Sequence, residues 1–217
     1  FRSPKGMNGA KFRARYGVVG LSIVLKDFVV EGLNEAGLSA GLFYFPHYGN
    51  YPVYDAKQNT RTVADLQLVA WMLSQFSTIE EIKAAMQDIR VVSVDTTGAS
   101  STVHWRIGDA NGRQVVLEFV DGVPCFYENE IGVLTNSPGF PWQMTNLNNY
   151  VNLYPGGAEA HQLGGVTIFP FGAGSGFQGI PGDVTPPSRF VRAAFYKATA
   201  PQCATAYDAV LQSFHIL

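Results

Sequence analysis

The chain is short of the residues that mark several large protein classes. Two cysteines, Cys125 and Cys203, stand in 217 residues, too few for a disulfide framework. Charged residues make up only 15% of the chain and the formal net charge is −2. That balance excludes the basic surface of a nucleic-acid-binding domain. The apolar run Tyr16–Leu25 stops well short of the ~20 residues that a membrane span requires, so no span is expected. The residues that follow Phe1 are not expected to form a basic-then-apolar leader. It holds no Asn-x-Ser/Thr acceptor for glycosylation. Four histidines, at 47, 104, 161 and 215, have no ligand-like spacing to one another or to the cysteines, and no metal site is expected.

Apolar residues make up 47% and aromatics 13%. A chain of this length buries roughly 70% of its unfolded surface on folding, so a single domain over 1–217 with a large core is expected. The 23 glycines and 12 prolines favour a turn-rich, sheet-rich fold over a helical bundle.

The pattern along the chain agrees. Tyr16–Leu25 reads as a strand. Phe28–Leu33 and Leu38–Phe45 flank the turn residues Asn34-Glu35-Ala36-Gly37, a hairpin signal. Arg61–Phe76 has the 3–4 apolar spacing of a helix. Ser77-Thr78-Ile79-Glu80 resembles a capping box opening a second helix that runs to about Gln87. The charges Glu80, Glu81, Lys83 and Asp88 read as its solvated face. Strands are expected at Thr102–Ile107, Gln114–Val120, Val123–Tyr127 and Ile131–Thr135, followed by a short helix at Trp142–Val151. Residues 154–187 hold nine glycines and five prolines, with one strand-like island at Val166–Phe169; so long a stretch without regular structure suggests a binding loop or an assembly element. Helices at Pro187–Ala198 and Ala204–Phe214 close the chain. Blocks of antiparallel strands and blocks of helices make the fold class α+β.

Two catalytic motifs match by letter and fail by context. Gly37-Leu38-Ser39-Ala40-Gly41 is written like a nucleophile elbow, but a turn precedes it and a strand follows. Gly174-Ser175-Gly176-Phe177-Gln178-Gly179 is written like a dinucleotide loop, but Ile180-Pro181-Gly182 follows where a helix should begin. The two cysteines read as packing residues. Three other segments put polar groups where an element ends. Asn136 stands just past Gly132–Thr135, and its amide has two hydrogens to donate, as an oxyanion stabiliser must. Arg189 stands in the first turn of a helix, where a cation opposes the dipole and an anionic ligand would favour it. Leu42-Phe43-Tyr44-Phe45-Pro46-His47-Tyr48 ends a strand on aromatics suited to a pocket or to the core.

Taken in order, these stretches resemble the choloylglycine hydrolase family, which includes bile salt hydrolases and penicillin V acylases. The resemblance runs through Glu31–Leu38, Thr102-Val103-His104-Trp105, Gly132–Pro138 with Thr145–Tyr150, Gly179–Arg192, and Phe214-His215-Ile216-Leu217. It implies the N-terminal-nucleophile hydrolase fold, a four-layer αββα sandwich, here incomplete at both ends. It implies hydrolysis of a non-peptide C–N amide of a small N-acyl substrate by an N-terminal cysteine whose own α-amino group takes the thiol proton, without a cofactor. Asn136 matches the family's oxyanion Asn, Tyr44 the backbone N–H donor and Arg189 an arginine near the nucleophile. Phe43, Phe45 and His104 are candidate substrate contacts. Tyr rather than Asn at position 44 leans towards acylase-type substrates. The segment 154–187 matches a region through which family members assemble, so a homodimer or homotetramer is expected. The nucleophile is not among these residues: Phe1–Met7 resembles a strand beyond it. The alternative is a catalytically inactive, pocket-bearing binding or assembly protein. Bacterial cytoplasm and export both remain open.

Overall fold

The computed structural model describes residues 1, 6–94 and 102–216. Backbone contacts divide the chain into two compact units, Phe1–Phe140 and Pro141–Leu217, and each is described by itself. Residues 2–5 of the Phe1–Met7 stretch, and Leu217, lie outside the described residues.

The first unit is built on a six-stranded antiparallel sheet. In spatial order its strands are β1 (Val18–Ser22), β2 (Val29–Asn34), β3 (Ser39–Tyr44), β6 (Val103–Gly108), β7 (Gln114–Val120) and β8 (Val123–Glu128). The hairpins form where turn chemistry predicts them. Gly37 takes a φ of +85° between β2 and β3, a conformation that costs a glycine little. Alternation then sorts the side chains. Leu42, Trp105, Leu117 and Phe126 lie opposite one another across four strands, and their face packs into the hydrophobic core. Phe43, His104, Glu118 and Cys125 fall on the other face.

The core face is covered by α1 (Leu68–Gln75), which packs on β2 and β3. Leu68, Val69, Trp71, Met72 and Leu73 are all buried. α1 is apolar all round because the N-terminal stretch covers its outer side: Arg15 N–H donates to Ser74 O and Gln75 Nε2 to Arg13 O. α2 (Ile79–Ala85) adds Ile79 and Ile82 to the core. Its N-terminus is a capping box, one residue later than the pattern suggested. Thr78 is the cap and Glu81 reaches back, with Ser77 donating to the same carboxylate.

Three expectations need correcting. The helix predicted over Arg61–Phe76 is α-helical only from Leu68. Thr62–Ala64 is instead a short strand, β4, pairing in parallel with β5 (Arg90–Val92); this distant pairing overrides the local helical period. β1 is narrower than Tyr16–Leu25 and exposed along its whole length. Ile131–Thr135 is not a strand; side chains rather than a ladder satisfy its backbone.

The second unit opens with α3 (Phe140–Asn146), whose first residue belongs to the first unit, and a 3₁₀ turn over Leu147–Tyr150. The island at 166–169 has a partner, so β9 (His161–Leu163) and β10 (Val166–Ile168) form an exposed hairpin. α4 (Pro186–Thr199) starts on two prolines, which suit a first helical turn, and α5 (Ala206–Ile216) packs on α4. Phe177 meets Phe195 and Tyr196 edge-on.

Asn34 ties hairpin to helix. Its Nδ2 donates to Leu73 O at 2.9 Å and Phe76 O at 2.7 Å, closing the C-terminal end of α1. Its Oδ1 accepts from Ala36 N and Leu38 N, closing the turn. The side chain is 3% exposed. Asn34→Ala leaves four polar groups without these bonds and is expected to cost about 2–4 kcal/mol, read by urea unfolding; a loss below about 1 kcal/mol, the net worth of one ordinary hydrogen bond, contradicts the linking role.

Candidate active site

The strand β3 brings the aromatic segment to the end of the sheet. Phe45 N–H donates to Thr102 O on the side of β6 at 2.7 Å. Successive residues of a strand alternate edges, so the N–H and C=O of Tyr44 face the opposite edge. The pairing of β2 with β3 ends at Glu31–Gly41, short of Tyr44. The vacated edge is where Asn136 arrives: its Nδ2 donates to Tyr44 O at 2.8 Å. Tyr44 and Asn136, 92 positions apart, are thus joined at one strand end.

The segment that delivers Asn136 is irregular, and Val133, Leu134 and Thr135 in it are buried. Buried backbone must find partners, and here they come from the sheet. Asn129, 2% exposed, donates through Nδ2 to Val133 O and accepts Gly132 N–H through Oδ1. His104 Nε2 lies 2.8 Å from Thr135 O. His104 Nδ1 lies 3.0 Å from Glu118 Oε1, and Phe140 N–H donates to that same oxygen at 2.8 Å. Ser137 Oγ donates to Pro46 O. Glu118, Asn129 and Thr135 were not singled out from sequence. The available signal is a carboxylate in the apolar run Val115-Val116-Leu117-Glu118-Phe119, since a carboxylate is buried only when paired.

The other candidates sort by exposure. His104 is fully buried and Phe45 is 1% exposed; the two rings stack at 4.1 Å and 9°. Phe43 is half-buried and meets His104 edge-on at 6.2 Å. The Tyr44 ring, on the opposite face of β3, is 55% exposed. Ser39 lies on β3 with its hydroxyl on Gly108 O, in no elbow. Cys125 is half-buried on β8 and Cys203 is exposed, so the latter is not the packing residue expected. Among the described residues no cluster of three His, Cys, Asp or Glu side chains is arranged to hold a metal, and no helix is long and apolar enough to cross a membrane.

Arg189 lies in the second unit, on the opening turn of α4. Its Nε donates to Val184 O at 3.1 Å. Arg192, the next turn on, donates to Pro181 O and Asp183 O and pins the preceding loop. The Asp183 carboxylate accepts from Ser188 Oγ at 2.6 Å and Thr185 Oγ1 at 2.5 Å. An acid at this end of the helix offsets the unfavourable placement of the arginines. A cavity of about 600 Å³ in the same unit is lined by residues of 158–178, none of them a candidate catalytic group.

Residues 1–217 match the linear amide C–N hydrolases, choloylglycine hydrolase family. The chain belongs to this family. It is 33% identical to the bile salt hydrolase/transferase of Clostridium perfringens over 221 aligned residues, covering 100% of this chain and 67% of the relative. A crystal structure of a variant of the conjugated bile acid hydrolase of that organism superposes with a TM-score of 0.81 at 32% identity, covering 95% of this chain and 64% of that one. A penicillin V acylase structure from Agrobacterium tumefaciens gives 0.76 at 25% identity, covering 99% and 59%. The chain therefore spans about two thirds of the length of the relatives it matches. The choloylglycine hydrolase family assignment carries with it the N-terminal-nucleophile hydrolase fold, and the large antiparallel sheet of the first unit with its helical cover is part of that fold.

Asp183 supplies a pH test of the α4 entrance. The hydrogen bond from Ser188, then those from Thr185, hold its carboxyl down from 3.8 to about 2. For a depressed acid the linked stability is complete above the ordinary carboxylate value, about pH 4, and is lost as pH falls through the folded value. The Asp183 carboxyl ¹³C resonance is expected to titrate with a midpoint at about 2, and a midpoint at the ordinary value contradicts the cap.

Proposed function

We propose that this chain forms the oxyanion-stabilising part of an amide hydrolase that cleaves a non-peptide C–N bond of a small N-acyl substrate. The attacking group is an N-terminal cysteine presented to this site, with its own α-amino group as proton acceptor. The observation that carries the reading is the junction of Asn136 with the backbone of Tyr44 at the open end of β3. Attack on an amide carbonyl builds negative charge on oxygen. A side-chain N–H and a backbone N–H held on one rigid edge meet that charge with little reorganisation. Arg189 matches the family's arginine by sequence, and a guanidinium near a thiol favours thiolate over thiol. A tetrahedral intermediate then expels the amine, and water cleaves the resulting thioester.

The substrate class follows the relatives' names: conjugated bile salts or penicillin V. The exposed Tyr44 ring, beside the Asn136 junction, supports an apolar acyl group. The apolar side chains displayed by the β9–β10 segment, including Leu163, Val166 and Phe169, support a homo-oligomer, a dimer or tetramer.

The protein expressed from its whole gene should release glycine from glycocholate or phenoxyacetate from penicillin V. In it, Asn136→Ala is expected to lower kcat about 10²–10³-fold with KM little changed. Binding of a bile salt without turnover by the unsubstituted protein would favour the inactive, pocket-bearing alternative, and an unaltered kcat in Asn136→Ala removes Asn136 from the reaction.

A further inference from the structure

We propose that the buried His104–Glu118 pair is a positioning device: it fixes the backbone at Thr135 so that the next residue, Asn136, presents its amide at the end of β3. The proposal rests on reading Asn136 as an oxyanion donor and gives His104 a role other than substrate contact.

The ring of His104 is closed in on every side that the described residues show. Phe45 stacks on one face at 4.1 Å and Phe43 meets it edge-on at 6.2 Å. Both nitrogens point at acceptors: Nε2 at Thr135 O and Nδ1 at Glu118 Oε1. A neutral imidazole has one N–H, so the pair satisfies both contacts only with two protons between ring and carboxyl. Whether written as imidazolium with carboxylate or as neutral ring with carboxylic acid, the pair is neutral overall, which suits side chains at 0% and 2% exposure. The carboxylate then reaches the far end of the same segment. Its Oε1 accepts Phe140 N–H, and a β-carbon built on Gly139 would come within 3.1 Å of its Oε2, so the chain passes close over Glu118 at a glycine. One buried pair thus holds residues 135 and 140, on either side of Asn136-Ser137-Pro138.

A group that only supported stability would lower the folded fraction and leave the behaviour of folded molecules alone. A positioning group changes the reacting geometry, and a misplacement of about 1 Å costs on the order of 10²-fold in rate. In the protein expressed from its whole gene, His104→Phe keeps the stacked ring and loses both polar contacts. The folded variant is expected to lose about 10- to 100-fold in kcat with KM within about twofold. His104→Gln, whose amide can still donate to Thr135 O, is expected to recover most of the loss. A second readout does not need turnover. The side-chain NH₂ resonance of Asn136, assigned by its disappearance in Asn136→Ala, should shift in ¹⁵N-labelled His104→Phe and return towards its original position in His104→Gln. Where His104→Phe does not fold, the near-isosteric Glu118→Gln reads the same coupling. An Asn136 resonance that stays put in a folded variant, or a kcat unchanged per folded molecule, overturns the proposal. Absence of turnover by the unsubstituted protein overturns the hydrolase reading instead, and the resonance then decides the positioning alone.

Discussion

The site depends on how a buried, irregular stretch of backbone is satisfied. From Asn129 to Phe140 the chain leaves β8 without entering another strand, yet Val133, Leu134 and Thr135 are buried. An unmet backbone group in such a place costs about 1–3 kcal/mol. Three side chains meet the need: Asn129 for Gly132 and Val133, His104 for Thr135, Glu118 for Phe140. Each comes from the sheet or its immediate end, so the irregular segment inherits the rigidity of β6, β7 and β8. A ladder bond would have required Asn136 to follow strand alternation; side-chain anchors free it to meet the edge of β3.

That arrangement suits the chemistry expected of a choloylglycine hydrolase. Stabilising an oxyanion needs donors whose direction is settled before the charge forms. The Tyr44 amide is settled by β3, which β6 holds in register through Tyr44–Val103. Further support lies close by. Tyr51 donates to Val103 O and accepts from Val103 N, and its burial pushes its hydroxyl well above the ordinary value, so it stays a donor at any pH the protein meets. Thr102 bonds Phe45 O. The strand end that carries the proposed backbone donor is thus braced on its β6 side, and Asn136 comes to the other.

Local features were legible where local chemistry decides them. Asn34 to Gly37 marked the β2–β3 hairpin, because that turn is made by the residues themselves. What failed depended on distant partners. Thr62–Ala64 has a helical period and became a strand by pairing with Arg90–Val92. Ile131–Thr135 has the residues of a strand and lacks a ladder. Among the candidate site residues, Asn136 was singled out by its place past an apolar run and Tyr44 by resemblance, and the fold brings the two together. His104 was picked as a substrate contact, but its surroundings, and the part played by Glu118, were invisible until β6 and β7 were paired. Arg189 was found at the start of α4, but its bond to Val184 O and the loop contacts that Asp183 and Arg192 make beside it could not be read from residue order.

The central claim is that Asn136 Nδ2 and the Tyr44 N–H face one developing oxyanion. Its most direct measurement is a crystal structure of the protein expressed from its whole gene after reaction with phenoxymethyl trifluoromethyl ketone, whose carbonyl carbon takes up a thiol to give a tetrahedral hemithioketal that keeps the carbonyl oxygen. The account predicts the adduct oxygen at about 2.7–3.1 Å from both nitrogens. An adduct oxygen turned away from them, or held by other groups, would contradict it.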